Sequence, residues 1–187
     1  MKIPGADVDL LEVFRRPCNV AGIQTQHSFA ELMLLGQLLD YCQPSVVIEI
    51  GTAAGGLSVF LSTWSKAQYA RFYTLDILDQ RSEHMRHEPE IRFRKMDALS
   101  DEARAYLDGE RDRLRTLIYC DGGDKFEELL HYAQTLKPGD IIACHDWGTE
   151  VVDFDATMYE ESFNLRRLWP EVFDAHHSLQ AAWQRKA

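Results

Sequence analysis

Residues 46–61, VVIEIGTAAGGLSVFL, constrain this chain more than any other stretch. A short apolar run reaches Ile50 and breaks at Gly51, which reads as a buried strand. Leu57, Phe60, Leu61 and Trp64 then recur at the three-, four- and seven-residue spacing of one helix face. The reading is strand, glycine turn, helix. Gly51, Gly55 and Gly56 let the backbone turn sharply and approach a ligand closely. The helix that follows offers unpaired N–H groups at its start. In an open α/β sheet ligands bind at such a place. A plain βα turn has the same outline, so the downstream residues decide.

The alternation continues. Strands are expected at 46–50, 71–75, 91–95, 114–120 and 140–144, with helices at about 57–66, over 100–113 and after Asp124. Ser28 and Glu31 have capping-box spacing ahead of an apolar face of Leu32, Leu35, Leu38, Leu39 and Cys42, and Pro44 closes that helix. His27, just before it, reads as a flanking surface residue, with an acceptor-site role as the alternative. Residues 1–22 form an irregular lead with one weak helical piece at 8–14. Near the end, a helix is expected from about Thr157 to Trp169, then strands at 171–175 and 179–184. No crossover helix fits between those two strands, so they should form an antiparallel hairpin. The expectation is one α/β domain over 1–187, with a helical lead at 1–45 and a core at 46–187. Its sheet is Rossmann-like, open and seven-stranded, mostly parallel with an antiparallel C-terminal hairpin, and covered by helices on both faces.

A repeated position carries the functional signal. Glu49, Asp76, Asp97, Asp121 and Asp146 all fall at or just past the C-terminal end of an expected strand, the ligand edge of a parallel sheet. Asp76 follows Gly51 by 25 residues, where an acid can accept both hydroxyls of a ribose. The G-x-G-x-x-G run of a dinucleotide site is absent. The Ala53 methyl and the Glu49 charge both oppose a pyrophosphate. A ligand with a ribose, an amino group and no phosphate fits better.

With these residues in order, the chain resembles the class I S-adenosylmethionine (SAM)-dependent methyltransferases. The E-x-G-T-x-x-G pattern is Glu49, Gly51, Thr52 and Gly55, followed by Asp76, Asp97, Asp121-Gly122 and a Lys137-Pro138-Gly139 turn. The resemblance covers roughly residues 22–184. It implies that the first loop holds the methionine part, that Asp76 takes the ribose hydroxyls, and that Asp97 with Ala98 lies on the adenine side. Asp121-Gly122-Gly123 and His145-Asp146 further resemble the metal-dependent small-molecule O-methyltransferases, of the catechol type or the cephalosporin-hydroxylase-like group. That resemblance implies a divalent ion such as Mg²⁺ on Asp121, His145 and Asp146, binding the acceptor hydroxyl and lowering its pKa. His145 is a softer ligand than the expected carboxylate, which favours Mn²⁺, Fe²⁺ or Zn²⁺ or else means no metal at all. The catechol-type lysine base maps to Asp124, with Lys125 one position on. Asp121, His145 and Lys125 are the candidate catalytic groups, and the resemblance also counts Asp121 among the cofactor contacts.

Charge and composition bound the partners. Lys plus Arg is 20 against Asp plus Glu 30, a net charge of −10 that disfavours nucleic acid and suits a sulfonium cofactor. No run has transmembrane length and no secretory signal is visible, so no membrane role is expected. Cys18, Cys42, Cys120 and Cys144 are widely spaced, without a zinc pattern, and fit a reducing cytoplasm. His84 and His87 read as exposed residues, with a metal pair as the alternative. Residues 79–89, the lead before Ser28 and 147–155 (WGTEVVDFD) should frame the acceptor pocket, with Trp147 as a flat wall or a core lid. A chain this short suggests a small-molecule acceptor, and a homo-oligomer could complete the pocket. The first reading is methyl transfer to a hydroxyl oxygen. Metal-free transfer to nitrogen, a nicotinamide-dependent oxidoreductase and a non-catalytic binder are the alternatives.

Overall fold

Strand β3 (Val46–Ile50) is buried at every residue, which only a central strand covered on both faces can be. The structure, a computed structural model, describes residues 16–151, 156–175 and 178–187. The expected helical piece at 8–14 lies outside the described residues, as do the last four positions of 147–155.

An antiparallel hairpin, β1 (Pro17–Val20) and β2 (Ile23–Ser28), leads into helix α1 (Phe29–Cys42). Ser28 caps α1 with a reciprocal Ser28–Glu31 capping box. Then come β3, α2 (Gly56–Ala67), β4 (Arg71–Asp76), the single-turn α3 (Glu83–Arg86), β5 (Arg92–Lys95) and α4 (Asp101–Glu110). The second half holds β6 (Thr116–Cys120), α5 (Lys125–Ala133), β7 (Ile141–Cys144), α6 (Ala156–Ser162), β8 (Leu165–Leu168), α7 (Pro170–Ala175) and β9 (Ala181–Arg185).

The main sheet has seven strands in the order β5-β4-β3-β6-β7-β9-β8. Five are parallel, and β9 runs antiparallel to both β7 and β8. Alternation along the strands fills two cores. Val47, Phe72, Leu117 and Ala143 face Leu35, Leu57 and Leu61 of α1 and α2. Val46, Ile48, Ile118 and Ile142 face Ala103, Leu107, Leu129 and Tyr159 on the other side. Helices therefore cover both faces, as expected. The order reverses between β4 and β6 around β3, so the loop after β3 opens at the switch point of the sheet.

The C-terminal segment departs from expectation. The helix that begins at Ala156 stops at Ser162, and Leu165–Leu168 is the edge strand. Leu165 and Leu168 are spaced by three, which imitates a helix face, but both are buried as strand residues. The expected strand at 171–175 is helix α7. Pro170 opens it at the first helical position, where its missing N–H costs nothing. The antiparallel pair therefore joins β8 to β9 across a short helix. The β1–β2 hairpin was not foreseen. All four cysteines are free thiols, and no helix among the described residues is long and apolar enough to cross a membrane.

Candidate active site

The loop after β3 is tied to its neighbours by its own backbone. Gly51 N–H donates to Leu75 C=O (2.8 Å) at φ 91°. A methyl group on Gly51 would sit 2.3 Å from Asp121 O, so glycine is required here by the protein's own packing. Gly55 is a different case, since its added methyl would meet the Met85 side chain. Asp76 closes the loop from the next strand. Its Oδ2 accepts from Thr52 N (3.0 Å) and Ala53 N (2.9 Å), and its Oδ1 accepts from Leu78 N (2.9 Å).

Glu49 supports this loop from below. Ser58 Oγ and Thr74 Oγ1 donate to its Oε2, the latter at 2.6 Å, and Thr74 Oγ1 in turn lies 2.6 Å from Thr52 Oγ1. The side chain is fully buried and does not line the cavity above, contrary to the expected cofactor contact. Burial pushes its carboxyl up to about 8, only partly offset by the Ser58 and Thr74 hydroxyls, with Asp121 and Asp76 adding repulsion.

A cavity of about 740 Å³ opens at the C-terminal edge of the sheet, a volume typical of small-ligand sites. Gly51, Thr52, Gly55, Asp76, Asp97, Ala98 and Asp121 all line it. Gln24, Thr25 and Gln26 of β2 form a further wall, within the lead before Ser28 that was expected to frame the pocket; that they do so as a strand was not foreseen. The signal was present in the strict alternation of burial-prone Ile23, Thr25 and His27 with polar neighbours. Asp97 also caps its own turn, accepting from Leu99 N at 3.0 Å. Trp147 is not in the cavity wall. It packs edge-on against Trp183 with Arg167 over its ring, as the lid alternative expected.

The polar floor lies beside Asp121. Lys125 Nζ donates to Gly122 O (3.0 Å) and Glu150 Oε2 (2.8 Å) and pairs with Asp146 Oδ2 (3.0 Å), so its three protons are engaged. Burial would lower its pKa, but Glu150 and Asp146 more than reverse this and raise it. That corrects the expectation of Lys125 as a base. His145 is buried, with Nδ1 3.3 Å from Asp121 Oδ1 and from Asp146 Oδ1, and Nε2 3.5 Å from Glu31 Oε1. Burial again opposes its charge, but Asp121 and Glu31 dominate and push it up to about 10.

His27 belongs to the same floor and is fully buried, not a surface residue. Its Nε2 lies 2.9 Å from Tyr119 Oη and 3.8 Å from Asp121 Oδ2, and its Nδ1 lies 3.1 Å from Thr25 Oγ1. Burial lowers its pKa to about 4. Among the described residues, the one group of three side chains whose ligand atoms all lie within 4.8 Å of one another is His27, Asp121 and His145. The expected third member, Asp146, is bound to Lys125 instead. His84 is exposed beside Glu88.

An open α/β sheet with a cavity at its switch point, floored by acids and imidazoles, is the arrangement in which folds of this class bind small ligands. No protein-family model matches the chain, and no curated protein matches its sequence. Solved structures narrow the class. CmcI with Mg and SAM superposes with a TM-score of 0.71 at 14% identity, over 98% of this chain and 83% of that one. A putative O-methyltransferase from Klebsiella pneumoniae gives 0.59 at 17% identity, over 89% and 85%. A putative caffeoyl-CoA O-methyltransferase from Staphylococcus aureus gives 0.54 at 16% identity, over 96% and 93%. The chain therefore has the fold shared by these methyltransferases.

Proposed function

We propose that this chain is a single-domain SAM-dependent methyltransferase that transfers a methyl group to a hydroxyl oxygen of a small molecule. One observation carries the reading: seven of the residues that the motif resemblance assigns to SAM line a single cavity, in a chain with a methyltransferase fold. The cradle suits that cofactor. Asp76 holds the loop through three N–H bonds and keeps one lone-pair site, on Oδ1, for a ribose hydroxyl. Asp97 and Ala98 line the same cavity for the adenine side. The acidic walls suit a sulfonium and oppose a pyrophosphate.

Bound SAM supplies a methyl group on positively charged sulfur; transfer forms an O–CH₃ bond, breaks the S–CH₃ bond and releases S-adenosylhomocysteine (SAH) and one proton. The acceptor-orienting role in this reading falls to Asp121, and what supports it is that Asp121 lines the cavity beside the loop that would hold the cofactor. Lys125 neutralises Asp146 and Glu150 beside it and keeps its own proton.

The residues do not fit Mg²⁺, the ion in the CmcI structure. Mg²⁺ demands oxygen ligands in octahedral geometry, whereas Asp146 is committed to Lys125 and two of the three converging donors are imidazoles.

Calorimetric titration with SAM and SAH tests the proposal. One-to-one micromolar binding, weakened at least tenfold by Asp76→Ala, is the expected result. Absence of binding by either form overturns it, as does preference for a reduced nicotinamide cofactor.

A further inference from the structure

We propose that His27, His145 and Asp121 form a binding site for one divalent transition-metal ion of borderline softness, Zn²⁺, Fe²⁺ or Co²⁺, and that Mg²⁺ does not compete for it. The role of such an ion in the reaction rests on the reading of the cavity given above; its binding does not.

The inner atoms converge on one point. Asp121 Oδ1 is 3.3 Å from His145 Nδ1, and Asp121 Oδ2 is 3.8 Å from His27 Nε2. The two rings lie side by side with centroids 4.1 Å apart. The outer nitrogens are held as in a metal site, where each ligating imidazole gives its other N–H to an oxygen. His27 Nδ1 faces Thr25 Oγ1 at 3.1 Å, and His145 Nε2 faces Glu31 Oε1 at 3.5 Å. Glu31 is fixed in turn by Ser28 N, Ser28 Oγ and Leu179 N. That leaves His27 Nε2 and His145 Nδ1 as the ligating atoms, on either side of one carboxylate.

Two observations point to a ligand rather than a self-contained polar cluster. Asp121 Oδ1 and His145 Nδ1, the atoms turned toward each other, are buried without a hydrogen-bond partner, which buried polar atoms rarely tolerate. The His145 side chain is only 3% exposed. Charge agrees. Asp121, Asp146 and Glu31 surround the cluster, and Lys125 reaches Asp146 alone of the three. The cluster adjoins the cavity, because Asp121 is also a cavity wall. Two imidazoles and a carboxylate are the donors of Zn²⁺ and Fe²⁺ sites, and they select against a hard ion. The bond such an ion must displace is the one between Tyr119 Oη and His27 Nε2, at 2.9 Å.

The experiment titrates metal-stripped protein with Co²⁺ and Zn²⁺, following visible Co²⁺ d–d absorption and heat, with Mg²⁺ as competitor and SAH binding measured on the same samples. Expected are one tight ion with a ligand-field spectrum, no displacement by millimolar Mg²⁺, and at least a hundredfold loss of affinity in His27→Asn and His145→Asn. Tyr119→Phe removes the competing hydroxyl and should bind at least as tightly as wild type. His84→Asn with His87→Asn, on the surface, should leave the tight site intact. Should the buried variants fail to fold, anomalous scattering from Zn²⁺ in wild-type crystals must place the ion among the three side chains. No tight ion, Mg²⁺ binding equally well, or binding insensitive to His27→Asn in folded protein each overturns the site. SAH binding without metal binding overturns this inference alone, and metal binding without SAH binding overturns the methyltransferase reading alone.

Discussion

Glu49 shows how one side chain can serve a site it never touches. Its folded carboxyl titrates at about 8, against an ordinary value near 4.5. The folded protein therefore holds the proton more tightly than the unfolded chain does. The associated stability is present in full below about 4.5 and is lost as pH rises through 8. Glu128, pushed up to about 7 by burial despite the Gly122 N–H, adds a loss of the same sign. Wild type should lose on the order of a few kcal/mol between pH 5 and 8. Glu49→Gln should lose measurably less, with urea denaturation at both pH values as the check; parallel curves would refute the assignment. Lys125 gives a second prediction. Lys125→Met leaves the largely buried Asp146 without its cation and should cost about 1–3 kcal/mol at pH 7. Denaturant midpoints of the two proteins decide it, and equal midpoints would refute the pairing.

Among elements, the β3 loop and its glycines separate two physical causes that a motif cannot distinguish. Gly51 is confined by backbone, with Asp121 O and Gly122 Cα both too near for a methyl group. Gly51→Ala should therefore cost more than about 2 kcal/mol and abolish SAH binding, with no side-chain truncation able to restore it. Gly55 is confined by the Met85 thioether. In a double-mutant cycle, Met85→Ala should recover part of the cost of Gly55→Ala, with the positive φ at Gly55 setting the remainder. Thermal denaturation of the four proteins measures the coupling, and strict additivity would contradict it. The sequence was legible where local periodicity and tertiary packing agree. Strands β3 to β7, the Ser28 cap and the line of acids at the sheet edge all follow from residues adjacent in the chain. It failed where they diverge. Leu165 and Leu168 have helical spacing in a strand, and Phe173 lies in a turn of helix that Pro170 starts rather than ends. His27 was misread because its surroundings, Tyr119 and His145, come from distant strands. Arg111 is buried because Asp108 and Thr135 O take its guanidinium, partners that its own charged stretch does not reveal.

At the scale of the molecule, a net charge of −10 surrounds a cavity lined by Asp76, Asp97, Asp121, Asp124, Glu128 and Glu150. SAM carries a sulfonium charge that SAH lacks. Raising salt from about 0.02 to 0.3 M shortens the screening length severalfold and should weaken SAM relative to SAH by about two- to threefold. Calorimetry of both ligands across that range measures the ratio, and an unchanged ratio would mean that the field does not reach the sulfur. The floor of the cavity has one more property. Glu31 takes the N–H of Leu179, and Tyr119 takes the amide of Gln180, across 148 and 61 residues of chain. During synthesis the glycine loop, the acids and both imidazoles are all joined to the chain before these two partners exist. The hydrogen bonds that finish the floor thus form among the last of the molecule, so a chain interrupted before residue 179 carries every catalytic candidate and still lacks the parts that hold them in register.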